Sequence, residues 1–377
     1  MKFIQQAGEV RGKKVLLRID LNVPVVNGKV INGFRIDKSL ETITYLREQG
    51  ARIILISHFK GKEGDSLRPV SEYLQHLVPH TFVEDFYSDL CRETVQAMKN
   101  GDVTLFENLR MWDGEEKNDT AFSQHLASFA DMYCNDAFSV SHRAHSSIVG
   151  VPGIIPGYAG VQLKKEVERL SEAFHPKRPF LFILGGAKFD TKMPLVQKFI
   201  SKADTVFVGG ALANDVFKAQ GKEIGRSVIT DHSIDLSFVL ESEKVVLPTD
   251  VIVRNESGEA QTKNLNDVLR GDMIMDAGPL CVSDLSEKIS QSAFVLWNGP
   301  LGNYEEGFHQ STLDLARVLG ASGVESIVGG GDTIAAIEEL DNFNEFSFVS
   351  TGGGAMLDFL AQETLPGIQA LEGTSGI

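Results

Sequence analysis

The sequence is poor in several things that would assign it at once. It has 3 cysteines in 377 residues, Cys91, Cys134 and Cys281, and they form no CxxC pair. That count excludes a disulfide-stapled scaffold and a cysteine-based zinc module, and the expectation is three reduced, buried thiols. No apolar run approaches the ~20 residues that a membrane-spanning helix needs. The first residues, MKFIQQAGEVRGKK, carry no apolar signal core, so the expected address is the cytoplasm. Positive charge is in deficit, with 36 Lys+Arg against 51 Asp+Glu and a formal charge of -15. A surface so acidic disfavours nucleic acid and anionic membrane as partners. It does not disfavour a small anion, which meets only its own pocket. Low-complexity stretches and short repeats are missing too, as are the phosphate motifs GxxxxGKS/T and GxGxxG and the protein-kinase HRD and DFG elements.

What is present is an alternation of short apolar strands and amphipathic helices. Lys14–Ile19 reads as a buried strand, Ile36–Gln49 as a helix stopped by Gly50, and Ala51–Ser57 as the next strand. That order is a βαβ unit, hence a parallel sheet. Val103–Phe106 and Tyr133–Asn135 continue the pattern, with a helix at Ala121–Asp131. The cluster Val151–Tyr158 (VPGIIPGY) breaks it, and a charged helix, Val161–Phe174, follows. The expectation is two doubly wound parallel-sheet α/β domains of Rossmann-like type, joined by a helix and a hinge. The N-terminal domain would span 1–158, the joining helix 159–174 and the C-terminal domain 175–362.

The second half repeats one design. Phe180–Leu184, Thr205–Val208, Ser326–Val328 and Phe346–Ser350 each read as a strand that runs into glycines and then a helix, and Ala293–Trp297 ends in Asn298-Gly299-Pro300. Glycines at the C-terminal edge of a parallel sheet let the backbone approach a ligand, and the next helix offers free N–H groups. One such loop is ordinary turn chemistry. Four in one domain point to phosphate or nucleotide. Lys188 and Lys192, four residues apart, could share a helix face near a phosphate chain. Asp332 follows three glycines and has two readings, a helix N-cap or a magnesium ligand beside phosphates.

The first half instead places polar and basic groups at strand ends: Asp20 and Asn22 in IDLNVP, Arg35 at a helix start, His58 in ISHF, Arg110, and His142, Arg143 and His145 in HRAH. Arginine grips carboxylate or phosphate in a planar fork. Together these residues suggest a basic site for a small anion, and the two halves suggest a two-substrate phosphotransferase.

The motifs RIDLNVP, FRID, ISHF, LFENLRMWDGEEKND, NDAFSVSHRAHSSIVG, FILGGAK, LWNGPLG, IVGGGDT and STGGGAML resemble phosphoglycerate kinases in order and spacing, from about Val15 to Leu371. The resemblance implies Mg²⁺-dependent phosphoryl transfer between 1,3-bisphosphoglycerate and ADP, giving 3-phosphoglycerate and ATP, by a monomer. It places Asp20, Asn22, Arg35, His58, Arg110 and Arg143 on the phosphoglycerate. Arg35 and Lys188 would face the transferring group, with Gly331 and Gly354 beside it. Gly186, Lys192, Asn298, Gly330, Gly331 and Thr333 would hold the nucleotide, Gly209 and Gly210 would border adenine, Glu305 would meet the ribose, and Asp332 would bind Mg²⁺. Gly352 and Gly353 would offer backbone N–H groups. The segment 363–377 would cross back onto the N-terminal domain. The sequence departs from the family pattern in SHFKGK, where Gly61 replaces arginine, in KFDTK, where Thr191 replaces aspartate, in AFSVSHRAH, and in GGALAND, where Asp215 replaces threonine. The alternative these departures leave is a divergent nucleotide-binding relative with weak activity or another acyl-phosphate substrate.

Overall fold

The structure is a computed structural model that describes residues 1–60, 65–187, 189–230 and 235–373; the side chains of 189–191 are also outside the description. The chain divides into two compact units, Met1–Glu168 with Gln362–Ile377, and Arg169–Ala361.

In the first unit the strands are β1 (Lys14–Arg18), β2 (Val25–Val26), β3 (Lys29–Val30), β4 (Arg52–Ile56), β5 (Thr81–Val83), β6 (Val103–Phe106), β7 (Met132–Asn135) and β8 (Gly157–Ala159). The helices are α1 (Phe34–Glu48), α2 (Arg68–Gln75), α3 (Asp89–Ala97), α4 (Thr120–Ala127) and α5 (Val161–Ser171). Six strands form one parallel sheet in the order β5-β6-β4-β1-β7-β8. Strands such as RIILI are near-continuously apolar because helices cover both faces of a parallel sheet. Val15, Leu17, Ile53 and Leu55 are fully buried in its core. β2 and β3 form a separate hairpin around Asn27-Gly28, both at positive φ.

In the second unit the strands are β9 (Phe180–Leu184), β10 (Thr205–Val208), β11 (Val245–Val246), β12 (Asp250–Arg254), β13 (Ala260–Asn264), β14 (Met273–Ala277), β15 (Phe294–Asn298), β16 (Glu325–Gly329) and β17 (Phe348–Val349). The helices are α6 (Phe189–Lys202), α7 (Ala211–Ala219), α8 (Ser237–Leu240), α9 (Pro279–Ser290), α10 (Gln310–Ser322), α11 (Gly331–Glu339) and α12 (Gly353–Gln362); α13 (Pro366–Gly373) belongs to the first unit. A second parallel sheet runs β11-β10-β9-β15-β16-β17. An antiparallel sheet, β13-β12-β14, accompanies it. The sequence reading did not contain this third sheet.

Three details differ from expectation. The segment VPGIIPGY is no break in the fold: its end is β8, an edge strand paired with β7. The division between the units falls inside α5, between Glu168 and Arg169. After β16 the helix starts one residue earlier than read, so Gly330 is the N-cap and Asp332 sits in the first turn without a capping hydrogen bond. The capping reading of Asp332 is therefore overturned. At its end α13 is held by the Gly367 N–H, which donates to Ser141 O at 2.8 Å.

Candidate active site

In each parallel sheet the strand order reverses once, and the crevice at the carboxyl ends there is where such sheets take ligands. In the first unit the chain winds outward from β1 through β4, then returns to place β7 on the other side. The reversal thus lies between β1 and β7. Asp20 follows β1 and is buried. It accepts from the Asn22 N–H at 2.9 Å and from the Ser139 hydroxyl, and pairs with Arg35 at 3.1 Å. Burial raises its pKa, but Arg35, His58 and these hydrogen bonds outweigh it and hold the carboxyl below its ordinary value. Arg35, in the first turn of α1, also donates to Asn22 O at 3.0 Å. The Asn22 Oδ1 accepts from the Lys60 N–H at 2.9 Å.

His58 follows β4 and is buried, with Nδ1 3.1 Å from an Arg18 guanidinium nitrogen. Arginine can only donate, so Nδ1 accepts and the ring offers Nε2–H. Burial, then Arg18, hold its pKa well below the ordinary value, so the imidazole is neutral at pH 7. Arg110, in the turn after β6, donates to Lys60 O and lies 3.1 Å from Glu116. Arg143 is exposed. His145 reports the convergence: burial, then Arg110, Arg143 and Arg18 push it down to about 4. The structure thus brings together all six substrate residues expected in this half.

Three residues that sequence reasoning did not single out underlie the cluster. Arg18, the last residue of β1, is fully buried. Its Nε donates to Ser147 Oγ at 2.9 Å, and Ser147 in turn donates its hydroxyl at 2.6 Å and its N–H at 2.9 Å to the buried Glu115 carboxylate. A buried arginine requires such compensation. The only signal for it in the sequence is a charge ending an apolar strand.

In the second unit the reversal lies between β9 and β15. The loops there touch: the Gly186 N–H donates to Pro300 O at 2.7 Å. A Cβ on Gly185 would collide with the Pro300 carbonyl oxygen, and Gly210, at φ +62°, would bring a Cβ to 2.5 Å from Gly186 N. Glycine is required at both positions. Above these loops lies a pocket of about 380 Å³. Gly186, Gly210, Pro300, Glu305 and Asp332 line it, together with Ala213, Phe217, Val251 and the strand Met273–Ala277. That strand belongs to the unexpected antiparallel sheet, so its contribution had no motif to announce it.

The Lys192 Nζ donates to Gly185 O at 2.7 Å. Burial lowers its pKa to about 8, with Asp332 opposing. Asp332 is exposed in the first turn of α11. Burial of its carboxyl and the neighbouring Glu305 raise its pKa, against Lys192. The Thr333 hydroxyl accepts from the Gly299 N–H at 3.1 Å, and the buried Asn298 donates to Met356 Sδ at 3.4 Å. Gly209 follows β10, while Gly331 and Gly354 lie in the first turns of α11 and α12. Lys188 lies outside the described residues, as do Gly61, Lys62 and the Thr191 side chain. Among the described residues no three acidic, His or Cys side chains gather as a self-sufficient metal site.

Residues 4–363 match the family described as Phosphoglycerate kinase. The chain belongs to the phosphoglycerate kinase family. The phosphoglycerate kinase of Moorella thermoacetica is 40% identical over 381 positions, covering 96% of this chain and 97% of that protein. That of Maricaulis maris is 39% identical, covering 98% and 97%. Among solved structures, the phosphoglycerate kinase from Coxiella burnetii superposes with a TM-score of 0.82 at 35% identity, covering 98% of both chains. The one from Pyrococcus horikoshii OT3 gives 0.86 at 30%, covering 99% of both. Family membership makes this chain a glycolytic phosphotransferase with a carboxyl group as acceptor. Among the described residues no helix is long and apolar enough to cross a membrane.

Proposed function

We propose that the chain moves a phosphoryl group reversibly between the carboxyl oxygen of 1,3-bisphosphoglycerate and the terminal phosphate of ADP, with the first unit holding the phosphoglycerate and the second the nucleotide. The observation that carries this division is the convergence of Arg35, Arg110, Arg143 and neutral His58 at one strand reversal, against glycine loops, Lys192 and Asp332 at the other.

In this reading Arg35 meets the equatorial oxygens of the transferring group, while Asp20 fixes the direction of its guanidinium. Arg110 and Arg143 grip the remote phosphate, Asn22 orients the substrate, and His58 donates Nε2–H. The reaction breaks one P–O bond and makes another, so what the protein supplies is alignment and cancellation of charge. Lys192 leaves Gly185 O for the nucleotide phosphates, and Lys188 supports the transferring group with the N-termini of α11 and α12. Gly186, Asn298, Gly330 and Thr333 shape the loops under the phosphates, Gly209 and Gly210 border adenine, and Glu305 meets the ribose.

Asp332, exposed at the start of α11, fits Mg²⁺, which takes one or two carboxylates and completes its shell with phosphate oxygens and water. When bound, the ion neutralises phosphate charge. The molecule acts as a monomer in the cytoplasm.

The test is reverse turnover with ATP, Mg²⁺ and 3-phosphoglycerate, coupled to detection of the acyl phosphate, with Arg35→Ala beside the unmodified protein. Activity that the variant loses is expected. No turnover with 3-phosphoglycerate while ADP still binds would sink the proposal.

A further inference from the structure

Lys60, in the turn after β4, has a backbone that glycine would suit better. Its φ is +49°, in the left-handed region where a side chain is strained. A residue other than glycine keeps that conformation only where its surroundings impose it. Here they do. The Lys60 N–H donates to Asn22 Oδ1 at 2.9 Å, and the Lys60 carbonyl accepts from an Arg110 guanidinium nitrogen. Just before it, the Phe59 N–H and carbonyl are both bonded to the Asn108 side chain, each at 2.9 Å. Lys60 is thus clamped between two residues of the basic cluster, and every one of these bonds is made by the backbone. Glycine would make the same bonds without the strain. What the lysine adds is its ammonium.

That ammonium is uncommitted. The residue is exposed, with Nζ 5.0 Å from the centroid of the Phe59 ring, and among the described residues it meets no carboxylate. The neighbouring guanidiniums are paired, Arg35 with Asp20 and Arg110 with Glu116. An exposed cation over a ring is held weakly, and the flexible lysine stem lets the charge swing away from it. The same stretch carries Gly61 where the family pattern carries arginine, so it has one fixed cation fewer.

We propose that Lys60 is a further substrate-binding residue of the first unit, its ammonium leaving the Phe59 ring to pair with the phosphate of 3-phosphoglycerate beside Arg110. The proposal rests on the phosphoglycerate reading of this unit. An ammonium acts as a mobile point charge and not as a planar fork. It draws the anion in without fixing its direction, so its effect belongs in KM and not in kcat.

The test is calorimetric titration of the full chain with 3-phosphoglycerate, and with ADP as the control ligand, on the unmodified protein and on Lys60→Met, Lys60→Gly and Lys60→Arg. Methionine and glycine both remove the charge, and each should weaken 3-phosphoglycerate about 10-fold, the lower end for a hydrogen bond between charged groups. ADP should stay within about twofold, the noise of such a comparison. Arginine restores the charge and should restore the affinity. Reverse turnover should show the same loss in KM with kcat held. Lys60→Gly also relieves the strained φ, so it should melt no lower than the unmodified protein while binding substrate more weakly, a pairing that damage to the fold would not produce. Equal affinity for 3-phosphoglycerate in all four proteins would overturn the inference and leave the phosphoglycerate reading standing. So would weakening in Lys60→Met that Lys60→Gly does not share, because the charge is gone from both. No binding of 3-phosphoglycerate to the unmodified protein would overturn that reading and the inference together.

Discussion

Raising the pH from about 7 to about 9 should weaken ADP binding about tenfold through one side chain, Lys192. Burial lowers this ammonium to a pKa of about 8 in the free protein, where it donates to Gly185 O. With that pKa it is about 90% charged at pH 7 and about 10% charged at pH 9. A bound diphosphate favours the charged form and so raises its pKa. Binding then takes up a proton above pH 8, and affinity must fall as pH rises through that window. The terminal phosphate of ADP, with a second pKa of about 6, is already ionised throughout and adds no slope. Calorimetry across the range, in buffers of differing ionisation enthalpy, reads both the affinity and the proton. Lys192→Met should bind ADP about 10- to 150-fold more weakly at pH 7, the worth of one charge-assisted hydrogen bond, and should show no such slope. A flat profile in the unmodified protein, or the same fall in the methionine variant, would refute the reasoning.

Arg35→Ala should cut turnover by ~10³–10⁵, the range known for arginines that face a transferring phosphoryl group, while ADP affinity by calorimetry stays within twofold of the unmodified protein's, about the noise of such a comparison. Gly210→Ala forces a side chain into positive φ and against Gly186; denaturant titration should show a loss of at least about 2 kcal/mol. Asp276 is buried, and desolvation lifts its pKa from 3.8 to about 7, against hydrogen bonds from Ser311 and Ala277. Its folded value is above its unfolded one, so its contribution is full below pH ~4 and is lost as pH rises to ~7, by up to ~4 kcal/mol. Asp276→Asn should remove that loss, which urea titrations at about pH 5 and pH 8 would read as a flatter stability profile than the parent's.

The parallel strands were legible because burial on both faces leaves a continuous apolar run: Val103–Phe106, Phe180–Leu184 and Thr205–Val208 fall where the sequence puts them. The antiparallel sheet was not legible, because β13 (AQTKN) is largely exposed and carries no apolar run. Helix starts slipped where glycine follows a strand. Gly331 and Gly353 already belong to their helices, though glycine reads as loop. The basic cluster of the first unit could be named from strand ends, but its electrostatics could not. His58 was visible as a histidine; its neutrality depends first on burial and then on Arg18, 40 residues away. Arg18 in turn depends on Glu115 through Ser147, a pairing that exists only once β1 and the 146–150 turn meet.

That pairing explains how a chain with a formal charge of -15 maintains a cationic site. Arg35 faces Asp20, Arg110 faces Glu116, and Arg18 reaches Glu115 by way of Ser147. Each guanidinium is aimed before any substrate arrives, so little of the binding energy goes into orienting it. The family departures in AFSVSHRAH fall within this framework. The Ser139 hydroxyl donates to the Asp20 carboxylate that directs Arg35. The Ser141 hydroxyl accepts from Asn135 Nδ2 at 3.0 Å and donates to Ala137 O at 2.9 Å. Both hydroxyls are thus spent inside the protein, on holding the backbone and the Asp20 carboxylate. Substitutions absorbed in this way act on how firmly the arginines are held, so under the proposed function their effect belongs in the rate rather than in the choice of reaction.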